Sequence, residues 1–521
     1  MTLIALALCS SSHAASLDLL EVGGAYGTPA ATNPSAVWWN PAGLAVNGGT
    51  QFMIELAPTF AGIDANRTQP AYPDPTASMD FFYSQGYPQD PQYGGQDHIT
   101  FNGVVPFVGV SSDLTVKGLG VGLGMAVPTA RGGVSDMATN ANRYALRAGS
   151  IQDIHVILGA GYQLKDKVAL GASLHYVDAS YYADIDSTSY PDIAWAVAEE
   201  VGVMPPSYQD MYNELDGYAA DVIMGGEKAG GKHGALHDRT FTFSLGTHVT
   251  PLPKERMLDI AVAYVHGVSL NTEGDLTMKF ACAGEWDEFS QQYVFDANGL
   301  CNSTFQGKGS IAYDLPGRVQ FGIASSPIDR LRVELMGAYV MWSVFTDFDI
   351  VTEVSPDQVP VDDPTIAAET SDLVSQHRLW ARDNQDTFWL GLDGKMQLHK
   401  YVTGGLRVLY DHHAVPSNVV SINNLDNDTV ALTGMAMVSP TSKLGIGLSF
   451  GHAFLASRTI TDSAFAVSLA DANPNGETFY GNNPDIDRYF YPESNGTYSG
   501  GINRLGITLK GNFGGSANDT W

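Results

Sequence analysis

Leu444-Gly445-Ile446-Gly447-Leu448-Ser449-Phe450-Gly451-His452-Ala453-Phe454 alternates large apolar side chains with small ones, and only His452 interrupts the apolar series. Successive side chains of a β-strand point to opposite faces, so a period of two is the signature of a strand with one apolar face. Leu119, Val121, Leu123, Met125 and Val127 alternate with Gly118, Gly120, Gly122, Gly124 and Ala126 in the same way. Ile154 to Tyr162 and Val168 to Tyr176 repeat the pattern. In a sandwich the large side chains would form the core. In an outer-membrane barrel they face lipid, and the small ones line the lumen.

The joins between strands decide between these folds. Candidate strands run near 50–62, 98–111, 115–128, 148–164, 167–184, 238–250, 257–280, 305–324, 330–351, 386–398, 401–413, 428–438, 443–456 and 500–513. Short joins such as Ser112-Asp113, Lys165-Asp166 and His399-Lys400 alternate with long ones at 63–97, 185–237, 352–385 and 457–499. An even number of strands with alternating short and long joins is the requirement of a barrel with short periplasmic turns and long outer loops. The expected fold is therefore all-β, a fourteen-stranded antiparallel transmembrane barrel. Composition agrees: only 16% of the 521 residues are charged, 56 are glycine, and no apolar run reaches the roughly 18 residues of a spanning helix. The net charge of −29 excludes a nucleic-acid partner, which would need clustered Lys and Arg.

Upstream lies Asn33-Pro34-Ser35-Ala36-Val37-Trp38-Trp39-Asn40-Pro41-Ala42-Gly43-Leu44-Ala45. Its two prolines remove backbone donors and forbid a strand, leaving short helical turns. Its Ser-Ala-x-x-x-Asn-Pro-Ala-Gly-Leu pattern resembles the N-terminal plug of the outer-membrane long-chain fatty acid and aromatic hydrocarbon transporter family. The likeness continues through Leu331 to Phe345, Trp380-Ala381-Arg382-Asp383, Leu390-Gly391, Gly405-Leu406-Arg407, Tyr410-Asp411 and Val415-Pro416. Tyr264-Val265-His266 departs from it, as does the end of the chain, where either Phe513 or Trp521 stands for the terminal aromatic.

The resemblance implies an outer-membrane channel for passive uptake of hydrophobic molecules, with long-chain fatty acids first and aromatic hydrocarbons second. A ligand-free porin or adhesin-like barrel is the alternative. The implied organisation is a signal peptide at 1–14, a plug at 15–48 with Trp38, Trp39, Asn40, Pro41 and Ala42 at its centre, the barrel over 49–513 and a tail at 514–521. The resemblance further implies a lateral gate from lumen to membrane, placed at Pro128, Gly132 and Gly133, where proline and glycine break a ladder; by their chemistry alone these residues equally suit an ordinary strand end before a loop. Within the loop at 187–235, two helices between Pro191 and Val222 carry apolar stripes. The stripes alone would pack the two helices on each other above the barrel; the resemblance implies that Ile193, Val197, Tyr208, Met211, Tyr212 and Leu215 form an outer ligand groove.

Arg332, Lys395 and Arg407 are candidate contacts for a ligand carboxylate on the inward parity, although Glu334 and Asp393 lie beside them as partners within the wall. Removal of a signal peptide with Cys9 leaves Cys282 and Cys301, an even pair expected to form a disulfide in an oxidising compartment. His155, His175 and His248 face inward with Ser173 and Ser244, but no carboxylate is placed to orient them, so no enzyme is expected. Neither a cofactor nor a metal is assigned; His412-His413 and Asp426-Asn427-Asp428 are weak candidates without motif spacing. The expected partners are the hydrophobic ligand and outer-membrane lipid, with a monomeric barrel.

Overall fold

In the computed structural model, residues 22–67, 95–134, 148–164, 167–187, 220–228, 232–252, 258–279, 285–287, 292–294, 304–360, 364–420, 425–461 and 495–514 are described. A single antiparallel sheet closes on itself. β1 (Thr50–Arg67) pairs with β2 (Gly95–Ser112), which is followed by β3 (Leu119–Val134), β4 (Ala148–Leu164) and β5 (Val168–Ser187). The ladder continues through Leu236–Val249, Leu258–Val265, Arg318–Ile328, Leu331–Val340, Thr387–His399, Val402–Asp411, Thr429–Thr441, Leu444–Ile460 and Gly496–Phe513. Gly496–Phe513 returns to β1, which closes the ring of strands.

The alternation reads out as two faces. Leu158, Leu406, Leu448 and Phe450 are more than half exposed, whereas the intervening Gly159, Gly447, Ser449 and Gly451 are buried or turned inward. Large apolar side chains outside and small residues inside are the reverse of a soluble core. The outward band is an apolar belt of the kind that a barrel presents to a bilayer.

The expectation of fourteen strands, each unbroken over the range read from the sequence, is corrected: the sheet consists of nineteen strand segments. The stretch expected as one strand over 257–280 is cut at His266-Gly267, and that over 305–324 at Pro316-Gly317. A 3₁₀ turn at Trp342–Val344 divides 330–351. Around Asp383, whose φ is 45°, the chain separates Gln376–Ala381 from Thr387–His399. These breaks form a seam around one side of the wall. Beyond it Val268–Lys279, Thr304–Leu315, Asp347–Glu353 and Gln376–Ala381 continue the pairing as an outer extension. Its apolar centre contains Leu276, Phe305, Phe345, Phe348 and Val359, and the helix Pro364–Val374 covers it. Hydrophobic alternation runs unbroken on both sides of each break, which is why the sequence reads as longer strands.

Inside the barrel, residues 22–49 form short turns: a 3₁₀ turn at Gly24–Tyr26, helix α1 (Ala36–Trp39) and a second 3₁₀ turn at Pro41–Ala45. Trp38 and Trp39 are 2% exposed and Asn40 is fully buried. The signal peptide at 1–14, residues 191–219 of the two expected apolar helices, Cys282 and Cys301, and the tail after Gly514 lie outside the described residues; the end of the second expected helix is corrected, since Ala220–Met224 is a strand paired with β5 and with Val268–Lys279.

Candidate functional site

The site is the filled lumen. Because the segment 22–49 has little regular structure, its backbone groups need partners supplied by the wall. Arg407 donates to the carbonyls of Gly24, Ala25 and Gly27 and holds Asp393 at 2.9 Å. Glu334 accepts from Thr28 Oγ1 at 2.9 Å and from the Ala30 amide at 3.1 Å. Arg332 donates to the Ala30 carbonyl and pairs with Asp259 at 3.0 Å. Lys395 pairs with Asp393 at 3.0 Å. The three cations expected to meet a ligand carboxylate are thus engaged with wall carboxylates, and the two arginines also hold the backbone of 24–30.

The second half of the segment sits on glycine. A side chain at Gly122 would come within 2.6 Å of Val37, and one at Gly161 within 2.7 Å of the Pro41 carbonyl. At Gly171 it would overlap the backbone of Pro41 and Ala42, and at Gly246 the Asn40 side chain. Asn40 is fixed twice: its Oδ1 accepts from the Ala42 amide at 3.1 Å, capping the 3₁₀ turn, and its Nδ2 donates to the Thr247 carbonyl at 3.0 Å. Replacing Gly171 by Leu is expected to expel residues 37–45 while the β4–β5 ladder closes as before. Single-channel recording then shows a leak, and unchanged heat-modifiability on gels shows an intact barrel.

The tryptophans meet different walls. Trp39 packs edge-on against Trp389 at 6.3 Å, its Nε1 donates to the Val22 carbonyl at 2.8 Å, and its own carbonyl accepts from Gln320. Trp38 lies on a polar patch. Its ring meets His155 edge-on at 5.2 Å and His175 at 5.7 Å, and the Arg318 guanidinium stacks over it at 4.8 Å. Arg318 donates to Gln320 at 3.0 Å, but its Nη2 has no hydrogen-bond partner among the described residues.

His175 Nε2 lies 2.9 Å from Ser173 Oγ, and Ser173 Oγ lies 2.5 Å from Ser244 Oγ. Among the described residues, His155 and His175 contact each other, Ser173 and Trp38, and none of these is the carboxylate that would orient the base of a nucleophilic serine. His248 instead faces Asp259 at 3.3 Å, which Arg332 already neutralises.

Beside the filled lumen the wall is open along one ladder. β2 and β3 pair at Phe107–Ala126 and again at Phe101–Gly133, and the stretches 102–106 and 127–132 between them are not paired with each other. Toward β4, β3 carries one extra residue between Ala126 and Thr129. Pro128 supplies no amide donor at this bulge, and Pro106 supplies none on the facing strand. Gly132 and Gly133 pair with Ser150 and Gly149 of β4. The opening therefore faces β2 alone.

Sequence reasoning missed Arg318, Gln320, Trp389 and Pro106. Arg318 and Gln320 share the inward parity that pointed to Arg332, so the same signal was present. Pro106 is visible as proline in a strand but lacks meaning until its partner across the ladder is known. The groove residues Ile193, Val197, Tyr208, Met211, Tyr212 and Leu215 lie outside the described residues, and so does the expected disulfide.

The sequence model of the family described as outer membrane protein transport protein (OMPP1/FadL/TodX) matches residues 5–473. No curated protein matches the chain significantly. Among solved structures, a Pseudomonas aeruginosa FadL homologue is similar with a TM-score of 0.64 and 15% identity, covering 97% of this chain and 99% of that one. The P. putida toluene transporter TodX follows at 0.57 and 12%, covering 97% and 96%. The Ralstonia pickettii toluene transporter TbuX follows at 0.54 and 13%, covering 92% and 94%. These likenesses show the fold, and the family match over most of the chain shows the membership. The chain belongs to the outer membrane protein transport family (OMPP1/FadL/TodX), a bacterial outer-membrane β-barrel that transports and does not catalyse.

Proposed function

We propose that this barrel passes hydrophobic molecules inward without energy coupling. The segment 22–49 acts as the stopper, and the unpaired stretch between β2 and β3 acts as the side exit into the membrane. The observation that carries the reading is the conjunction of the two: a lumen occupied by Val37, Trp38, Trp39 and Leu44 adjoins a wall whose ladder is interrupted over 102–106 and 127–132. A ligand-free porin would need neither. An apolar solute gains from leaving through the wall, since lipid on the far side matches its chemistry and the periplasm does not.

For the substrate we infer an amphipathic acid, with long-chain fatty acids as the class. Arg332, Lys395 and Arg407 are already paired, which leaves Arg318 as the support for this choice. Its guanidinium is 4% exposed and stacks on Trp38 with one nitrogen unbonded. Displacement of Trp38 bares that charge to the lumen, where a carboxylate takes the bidentate place. An aromatic hydrocarbon has no use for it.

Uptake into proteoliposomes tests the choice. Arg318→Met is expected to lower fatty-acid entry roughly tenfold, the size of one charge-assisted hydrogen bond, and to leave toluene entry unchanged. Equal loss for both, or toluene entry alone in the unaltered protein, favours the hydrocarbon reading.

A further inference from the structure

Two weak sequence signals converge at the outer end of the barrel. His412 and His413 follow the strand Val402–Asp411, and Asp428 precedes the strand Thr429–Thr441, so the three residues stand at the two ends of one outer loop. His412 Nδ1 lies 2.9 Å and His413 Nδ1 2.6 Å from the same oxygen, Asp428 Oδ1. One ligand atom from each residue lies within 4.8 Å of the other two. Each side chain is about one-third exposed, so the cluster is reached from solvent.

The cluster is held from behind. Tyr410 donates its hydroxyl to Asp428 Oδ2 at 3.1 Å, and the His413 amide donates to Asp428 Oδ1 at 3.1 Å. Asp426 accepts from the amides of Ala414 and Val415, and Arg458 donates to the carbonyls of Asp426 and Val415.

We propose that His412, His413 and Asp428 form a binding site for a divalent transition-metal ion of the zinc class, which clasps the loop 412–428 at its base. Two imidazoles and one carboxylate with a solvent-facing fourth position form a donor set that suits Zn²⁺, Cu²⁺ or Ni²⁺. Calcium is disfavoured, since it takes six to eight oxygens. The ion sits between the two Nδ1 atoms and Asp428 Oδ1, where each imidazole offers its Nδ1 lone pair and keeps its ring proton on Nε2.

Clasping this loop has a reason in the fold. Its Val415, Val419, Val420 and Leu425 pack with Ile63, Ala65, Ile460 and Tyr498 of β1 and the last strands, closing the outer rim on that side. Closing a loop at its two ends restricts its freedom most when the closure is strong, and a metal bond is stronger than the hydrogen bonds it replaces.

The test uses the full chain without an affinity tag, purified in detergent and stripped with EDTA. Titration with Zn²⁺ alone, followed by calorimetry, is expected to show one site. Asp428→Asn and the double variant His412→Ala/His413→Ala should each weaken it by more than roughly tenfold. Gel heat-modifiability checks that each variant is a folded barrel. Independently of any variant, Co²⁺ bound to the unaltered protein should give the intense visible bands of a four- or five-coordinate site. Zn²⁺ binding that is equal in the unaltered and double-variant proteins, or a pale six-coordinate Co²⁺ spectrum in the unaltered protein, overturns the proposal.

Discussion

Deletion of residues 15–45, with the export signal retained, opens the barrel to small polar solutes and gives single-channel conductance where the intact protein gives almost none. The ladder from β1 round to Gly496–Phe513 includes no residue of the deleted segment, so the wall still closes. What disappears is the apolar filling of Val37, Trp38, Trp39 and Leu44, of which Val37 and Leu44 sit on Gly120, Gly122, Gly124 and Gly159. A wall lined by glycine leaves an aqueous channel once nothing fills it. The charged groups that gripped the segment, Arg332, Glu334 and Arg407, then face water, which solvates them. Asn40→Ala with Pro41→Gly produces a smaller leak. It removes the cap on Ala42 and the bond to Thr247, together about 1–2 kcal/mol, and leaves the tryptophans in place. A deletion protein with no conductance above the intact one denies the segment its stopper role.

The barrel was legible because its evidence is distributed. Every wall strand repeats the same period of two, and a misjudged residue such as His452 costs little. The segment 33–45 was legible for the opposite reason: two prolines and two tryptophans in thirteen residues restrict the backbone and demand burial. The seam was not legible. His266-Gly267 and Pro316-Gly317 look like incidents within strands, and only their pairing, Val265 with Arg318 and Val268 with Leu315, makes them one break across the wall.

Site chemistry was partly legible. Parity put Arg332, Lys395 and Arg407 inside, but parity does not say whether a cation is free, and the structure gives each a carboxylate within 3.0 Å. Parity equally marks Arg318, whose lack of an acidic partner among the described residues is a fact about neighbours far away in sequence. The convergence of His412, His413 and Asp428 is of the same kind, since a sixteen-residue separation carries no motif.

The side exit is the other large effect, and register makes it testable with a single residue. Across the β2–β3 gap, β3 takes seven steps from Ala126 to Gly133 while β2 takes six from Phe107 to Phe101. Across β3–β4 it takes three from Ala126 to Thr129 against two from His155 to Asp153. One surplus residue therefore accounts for both irregularities. Deleting Pro128 restores a continuous register on both sides of β3, and inward and outward parity downstream is preserved because the bulge already offsets it. Pro106→Val supplies the missing donor on β2. The combined variant is expected to zip the two strands across 102–106 and cut uptake of hydrophobic substrate at least tenfold. The N-terminal segment stays seated on β4, β5 and Leu236–Val249, so resting conductance does not rise. Slowed amide exchange of residues 102–106 reports the zipped ladder directly. If exchange slows and uptake persists, substrate leaves the lumen by another route. If uptake falls only in proportion to the amount of folded barrel, the gap is a structural irregularity and not the exit.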